Sequence, residues 1–361
     1  MLEAEVVTAD GAVRVVNAVR DPDLFWALKG GGGGTFGVVS RLTLRTHALP
    51  NYAGEVHAAI TAGSDVAYRA LVEQVVTFYR TSLMNPHWGE QISFNGRQIG
   101  ISMVFQGIDQ AKAEQTWAPL FDWVTARPTD YTLTNPTVLA IPAKDFWNPA
   151  VLKQVPGVIA FDNRPGAPKG NFFWANNAGE VGEVLHAYQS TWLSKQLLAP
   201  ERRPALVDAL VRASQHWQVA LHCNKGLAGA PADALRWTRD TSMNPAVLDA
   251  FALAIAAANE PPAYPGVVGH EPHLAQGRRD AKLVAAAMAP LKALAAQPAS
   301  YVSETDYFQK DWQTAFWGNN YARLIGVKDR YDPTGLFFVH HGVGSEAWSA
   351  DGFTKRGGRR V

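Results

Sequence analysis

One cysteine, Cys223, stands in 361 residues, so no intrachain disulfide framework braces the chain, and a lone thiol says little about compartment. An excess of charge of one sign is also missing. The formal net charge is +1, which offers no basic face for nucleic acid. No apolar run reaches the ~20 residues that span a bilayer. The opening Met1-Leu2-Glu3-Ala4-Glu5-Val6-Val7 has neither the basic lead nor the apolar core of a signal peptide, and reads as a strand that begins at once. Metal signatures are absent too. His270-Glu271-Pro272-His273 has the wrong spacing for H-E-x-x-H, and Pro272 argues against the helix that motif needs. His340 and His341 are neighbours, which point apart in an extended chain, so no metal is expected. Gly229 to Pro231 lack a phosphate-loop lysine, and no Ser-His-Asp arrangement stands out.

What is present is apolar and aromatic. Hydrophobic residues make up 47% of the chain and twelve are Trp, enough for a large core and for thick aromatic layers or flat cavities. The length fits about two domains, or one large discontinuous one. The most unusual stretch is Lys29-Gly30-Gly31-Gly32-Gly33-Gly34-Thr35-Phe36-Gly37. Before it, Asp21-Pro22 opens a short helix, with Asp21 as the expected N-cap and Pro22 at the first helical position. After it, Val38, Ser40, Leu42 and Leu44 alternate with Val39, Arg41, Thr43 and Arg45, which predicts a strand. A domain linker is a poor reading, because too little chain precedes it. Gly32, Gly34 and Gly37 satisfy G-x-G-x-x-G, but that fingerprint needs a strand before it and a helix after it, and here the order is reversed. A nicotinamide site is therefore rejected. Two readings stay open: a structural turn, or bare backbone that approaches something large and offers it N–H groups.

Along the chain, residues 1–50 read as strand, Asp10-Gly11 turn, strand, helix, glycine turn and strand. Strand 53–62 precedes a helix capped by Ser64 and running to about Ser82. Gln91–Asn95 and Ile99–Phe105 form a hairpin across Asn95-Gly96. Asp109 caps a helix bearing Ala113, Trp117, Leu120 and Val124 on one face. Residues 127–178 read as irregular. Helices are predicted from Gly182 to about Leu198, from about Arg203 to Ser214, and from about Arg279 to Ala296 with a break at Pro290. A strand around Val219–Cys223 has a partner in Phe251–Ala257. Tyr301–Glu304 reads as a last strand, Trp312–Tyr331 as one helix, and Leu336–Val339 as a short buried strand. The tail from Lys355 to Arg360 reads as unstructured. The order strand, helix, strand, strand, helix gives an α+β class: an antiparallel sheet with helices on one face.

At both ends the residues resemble one family. Asp23-Leu24-Phe25-Trp26-Ala27-Leu28, the glycine run and Phe36-Gly37-Val38-Val39 look like the second half of the FAD-binding domain of the berberine-bridge-enzyme-like FAD-linked oxidases. Tyr301-Val302-Ser303-Glu304, Trp317-Gly318-Asn319-Asn320-Tyr321-Ala322-Arg323-Leu324 and Tyr331-Asp332-Pro333-Thr334-Gly335-Leu336-Phe337 look like that family's closing signature. The resemblance implies a partial FAD-binding α/β subdomain from residues 1–50 and 305–361, with a substrate domain, 51–304, inserted between them. It implies FAD as cofactor, held in part by Gly32, Gly33, Gly34, Thr35, Phe36, Gly37 and Val38, with Asn320 and Tyr321 approaching the flavin. It also marks a departure. Family members carry an N-terminal segment with the pyrophosphate loop and the His, often joined by a Cys, that tethers the flavin. This sequence shows none of it, and Cys223 lies far from that tethering position.

The activity implied is oxidation of a small organic or sugar-like molecule by hydride transfer to flavin, with molecular oxygen as acceptor, and neither nucleic acid nor membrane as partner. The alternative is a non-catalytic remnant or binding module. The family often draws its base from a Tyr on the last substrate-domain strand, and the register places Glu304 there, with Tyr301 three positions earlier. A carboxylate in an apolar cavity can serve as base; a solvated strand end is the plainer reading. A straight strand would not aim Tyr301 and Glu304 together. His222 and Asn224 share a face of their strand while Lys225 points away. His222 then contacts substrate or is a satisfied core histidine.

Overall fold

A computed structural model describes residues 1–356, so from residue 357 onward the expected tail lies outside the described residues. The first fifty residues fold in the predicted order. β1 (Glu3–Val7) and β2 (Val13–Asn17) form a hairpin, α1 (Pro22–Leu28) follows, and β3 (Val38–Thr43) returns to pair with β1, giving a sheet of order β2-β1-β3. Asp21 is not the side-chain cap expected of it. It takes a left-handed conformation and its carboxylate instead accepts a hydrogen bond from Tyr331 Oη at 2.8 Å, tying α1 to the far end of the chain.

The middle of the chain builds a seven-stranded sheet. Its elements are β4 (Tyr52–Ala62), α2 (Asp65–Phe78), β5 (Trp88–Asn95), β6 (Gln98–Gln106), α3 (Gln110–Thr125) and β7 (Tyr131–Pro142). The small α4 (Pro149–Leu152) and the β8 (Ile159–Phe161)–β9 (Phe172–Trp174) hairpin follow. Next come β10 (Val184–Ser194), α5 (Arg203–Ser214), β11 (Val219–His222), α6 (Ala232–Thr238), β12 (Ala250–Glu260) and α7 (Leu274–Lys292). The strand order is β10-β12-β11-β5-β6-β4-β7, antiparallel at every pairing. One face carries Val56, Ile60, Ile92, Phe94, Ile99, Ile101 and Met103, all buried with residues of α2, α3, α5 and α7 in the main core. The alternation that puts these residues inward turns Gln91, Ser93, Ser102 and His57 to the opposite, uncovered face.

Two helices close the chain: α8 (Trp312–Trp317) and α9 (Tyr321–Tyr331). The single helix expected there breaks at Gly318, whose φ of 53° leaves the helical region. A second core holds Ala4, Val6, Val16, Leu24–Ala27 and Phe36 from one chain end, and Trp312, Phe316, Trp317, Leu324, Val327, Tyr331 and Val343 from the other.

Four further expectations are corrected. The predicted helix at 182–198 is mostly strand β10. Val184, Tyr188 and Trp192 recur every four residues, a spacing that suits one face of a helix and equally one face of a strand. Residues 131–142 are not irregular but form β7, an edge strand whose side chains are largely exposed and whose alternation is interrupted at Asn135-Pro136, where Asn135 has a φ of 49°. Tyr301–Glu304 is a turn closed by Glu304 N donating to Tyr301 O at 3.0 Å. Leu336–Val339 is loop, with Leu336 exposed. Its first two amides donate to the Asp332 carboxylate at 2.8 and 2.9 Å rather than to a neighbouring strand.

Candidate functional site

β11 ends at His222, and the chain turns at once, with Lys225 N reaching His222 O at 3.4 Å. Strand alternation therefore stops there. Lys225, expected to point away, forms an ion pair with Glu304 and lies 6.0 Å from the Tyr301 ring centroid. The turn at 301–304 is what lets Tyr301 and Glu304 approach one cation together. The loop is bolted to β10, since Ser190 Oγ donates to Glu304 O and also pairs with Ser300 Oγ at 2.7 Å. All three expected catalytic residues, Glu304, Tyr301 and His222, thus meet around Lys225.

The residues added by the structure are Lys225, Glu90, Asn224 and Tyr188. Asn224 Nδ2 donates to Glu90 Oε1 at 2.6 Å, and Glu90 Oε2 lies 3.9 Å from His222 Nδ1. That nitrogen is buried and has no hydrogen-bond partner among the described residues. Burial, and then Lys225, lower the His222 pKa, while Glu90 and Glu304 pull against them. Burial with the nearby Glu304 charge pushes the Tyr188 phenol up to about 12. The turn signal Gly226, directly after Lys225, was the cue available in the sequence for Lys225. The others needed the strand pairing.

Glu90 and Asn224 also line a cavity of about 810 Å³. Its walls are aromatic, including Trp88, Phe105, Phe146, Trp147 and Trp174. Cys223 at its edge is buried, and that burial raises its thiol to about 12, so it is no nucleophile.

The glycine run lies against the same region. A Cβ on Gly32 would come 3.7 Å from Val302 Cγ2 and 3.5 Å from the Trp317 ring. Gly32 and Gly34 have φ of 90° and 69°, and nothing lies within 4 Å of where a Gly33 Cβ would sit. Among the described residues, the N–H groups of Gly32, Gly33 and Gly34 donate to no protein acceptor. The next residues are committed elsewhere. Thr35 O accepts from Lys328 Nζ at 2.6 Å, Phe36 is buried in the second core, and Gly37 packs where a Cβ would meet Val7 O at 2.6 Å. Val38 is exposed. Asn320 Nδ2 donates to Met243 O at 2.7 Å, while Tyr321 stacks on Trp317 and donates to Glu346 at 2.7 Å. His340 and His341 do not point apart: a φ of 56° at His341 stacks their rings 3.9 Å apart, between Tyr307 and Trp312.

Comparison with known proteins agrees along the whole chain. A family model described as "Berberine and berberine like" matches residues 300–344. An FAD-linked oxidoreductase of Arthroderma benhamiae is 28% identical over 98% of this chain and 57% of its own length. The FAD-linked oxidoreductase easE of Aspergillus fumigatus is 29% identical over 99% of this chain and 52% of its own. The VAO-type flavoprotein MtVAO615 of Myceliophthora thermophila shares 25% identity at a TM-score of 0.70, over 96% of this chain and 57% of that one. Residues 300–344 thus carry the berberine-like signature, and the chain as a whole is similar to FAD-linked oxidoreductases. A carbohydrate oxidase of Microdochium nivale has the same fold at a TM-score of 0.63 and 19% identity. The chain spans about half the length of the curated relatives it matches.

Whether these residues suit a flavin nucleotide is decided by the glycine turn. Its unpartnered N–H groups and missing side chains make a surface that flat rings or phosphate oxygens can approach, and they fit the group. That fit centres on Gly33, which has nothing within 4 Å of a Cβ, and is flanked by Gly32 against Trp317 and by Gly34, where a Cβ would lie 3.0 Å from Val339 Cγ2.

Proposed function

We propose that this chain forms the substrate-holding part and one cofactor wall of an FAD-dependent oxidoreductase acting on a small organic molecule, with oxygen as electron acceptor. The observation that carries the proposal is the convergence of the open Gly32–Gly34 turn with the Lys225–Glu304–Tyr301–His222 cluster across Val302. FAD, when bound, supplies the hydride acceptor. Gly32–Gly34 and Val38 would hold it, and the Tyr321–Trp317 stack would support that wall from beneath.

The protein's own part is binding and proton handling. Glu304 serves as the base, taking the proton from the substrate's hydroxyl or amine at a carboxylate oxygen as the adjacent carbon gives up hydride. Lys225 holds that carboxylate beside Tyr301. Its ammonium can move from Glu304 toward the newly formed polar group as the carboxylate is neutralised. His222, with its pKa lowered chiefly by burial, stays uncharged at neutral pH and offers a buried Nδ1 that has no hydrogen-bond partner among the described residues. The substrate's apolar body occupies the aromatic cavity beyond Glu90. We also read the chain as two units on this basis, residues 1–50 with 305–361 facing the cofactor and 51–304 facing the substrate.

The direct test is to mix purified chain with FAD and pass it through gel filtration. Yellow colour should travel with the protein and be released as free flavin on denaturation. Protein that remains colourless at saturating FAD contradicts the proposal and favours a binding module. In loaded protein, Glu304→Gln should lower turnover by about 100-fold or more, the usual contribution of a positioned base.

A further inference from the structure

The aromatic cavity has a fixed floor and a loosely attached roof. On the floor, β5 pairs with β6 on both sides of Glu90, whose φ of 62° is left-handed. Cys223 N donates to Glu90 O at 2.9 Å, and Gly89 leaves room for Asn224, whose Cβ lies 2.8 Å from where a Cβ on residue 89 would sit. The roof is one stretch of chain, which brings Phe146, Trp147 and Trp174 to the cavity. It is bolted at both ends. Ala143 N donates to Asn51 O at 3.0 Å. Gly182 O accepts from Ala263 N at 3.2 Å, and a Cβ on Gly182 would lie 2.5 Å from Tyr264 Oη. Between these bolts, among the described residues, no hydrogen bond or ion pair joins residues 144–181 to the rest of the protein. The stretch is instead bonded to itself. Asp162 N donates to Asn171 O at 3.1 Å, Ala175 N donates to Val158 O at 3.0 Å, β8 pairs with β9, and Trp147 meets Trp174 edge to face at 5.3 Å. Of its described side chains Leu152 alone is buried, and Trp147 is 66% exposed although it lines the cavity.

We propose that residues 144–181 form a lid that swings as one piece over the aromatic cavity, hinged beside Ala143 and Gly182, with Trp147 and Trp174 on its inner face. A segment opens locally when it buries little apolar surface and shares few hydrogen bonds with its surroundings. This stretch meets both conditions, and the sheet beneath it meets neither. Its internal hydrogen bonds survive the movement. What opening gives up is the apolar packing of Leu152 and the aromatic rings, which is non-directional and leaves no buried polar group unpaired when it parts. Closure keeps water from the cavity, and opening admits a molecule to it. The inference concerns access to the cavity and holds whatever the cavity binds.

The test uses the full chain with no ligand added. The protein is labelled with 5-fluorotryptophan, and each fluorine resonance is assigned by a single tryptophan-to-phenylalanine substitution. Fluorine relaxation dispersion should show Trp147 and Trp174 exchanging between two states at one common rate, on the microsecond-to-millisecond scale of lid motions. Trp88, which lines the cavity from the sheet, should report the same rate, because the roof leaves it. Trp117, fully buried in the main core, should show no exchange. Hydrogen exchange supplies a second readout. The amides of Asp162 and Ala175 should exchange at least about 100-fold faster than those of β6. Trp174→Ala, which parts the aromatic pair, should speed exchange across 144–181 by about fivefold more and leave β6 unchanged. Unrelated rates at Trp147 and Trp174, a silent Trp88, or exchange in 144–181 as slow as in β6 overturns the inference. FAD uptake is read separately, so failure of the flavin proposal leaves each of these outcomes as it stands.

Discussion

The two sheets of this molecule treat their strands in opposite ways. In the seven-stranded sheet, β4 buries Val56, Ile60 and Ala62 beneath helices and turns only its other face outward. In the three-stranded sheet, every residue of β3 is exposed, including Val38, Val39 and Leu42. The large sheet is stabilised by a conventional apolar layer. The small one is held at its margins: by the second core, by Gly37 lying flat on β1, and by one buried lysine. Lys328 Nζ donates to Thr35 O, Phe337 O and Asp332 Oδ2, each at 2.6 Å, so the glycine turn and the loop after α9 hang on one ammonium. Burial lowers the Lys328 pKa while Asp332 opposes the shift. Lys328 thus fixes the glycine turn in space beside an exposed β3.

Substitutions can break the contrast at either end of it. The largest loss is expected in the large sheet's core. Trp117 is fully buried, with Phe78, Trp88 and Phe121 around it, and Trp117→Ala should cost about 3–5 kcal/mol in urea unfolding. Lys328→Met comes next, at about 3 kcal/mol, because Asp332 and two carbonyls lose their shared donor inside the protein. Hydrogen exchange should show that loss confined to β1–β3 and α9, with β4–β6 still protected. Loss of protection across the large sheet as well would mean that the two regions are not separable.

Within the glycine run the contrast sharpens. Gly37→Ala drives a methyl to 2.6 Å from Val7 O and should cost about 1–3 kcal/mol in the same unfolding measurement. Gly33→Ala meets nothing within 4 Å and should stay within about 0.5 kcal/mol of wild type. Equal costs at the two positions would show that the run is one structural turn. The smallest effect lies at the β1–β2 hairpin. Hydrogen bonds from Thr8, the Ala12 amide and Arg14 lower the Asp10 pKa from 3.8 to about 2. Its contribution is therefore complete above pH 3.8 and fades as pH falls through about 2. Carboxyl NMR shifts titrating near 3.8 instead would remove that hairpin bond network.

Much of this was legible in the sequence where local signals and topology agree. The Asp10-Gly11 and Asn95-Gly96 turns, the Ser64 and Asp109 caps and the Phe251–Ala257 partner strand all appear as read. β10 was misread because its four-residue apolar spacing serves two periods at once, and pairing with β12 decided between them. Of the candidate site, Glu304, Tyr301 and His222 are expected from the resemblance and from strand faces, and the structure brings them near Lys225; their roles belong to the proposal. Lys225 was sent the wrong way because the alternation was extended past the end of β11. Glu90 carried no sequence signal, since its left-handed backbone follows from the Gly89–Asn224 approach between distant parts of the chain. Of the residues expected at the cofactor, Thr35, Phe36 and Gly37 are occupied with packing. Sequence pattern could not separate these from Gly32–Gly34, because a glycine that avoids a clash and a glycine that admits a ligand are spelled alike.

The open glycines are proposed to form a flavin wall. Titrating FAD into the wild-type chain and into Gly33→Val, with flavin fluorescence as readout and urea unfolding as control, tests it most directly. Flavin fluorescence should be quenched on binding to wild type, affinity should fall at least about tenfold in Gly33→Val, and stability should be unchanged. Equal FAD affinity in the two proteins would contradict it.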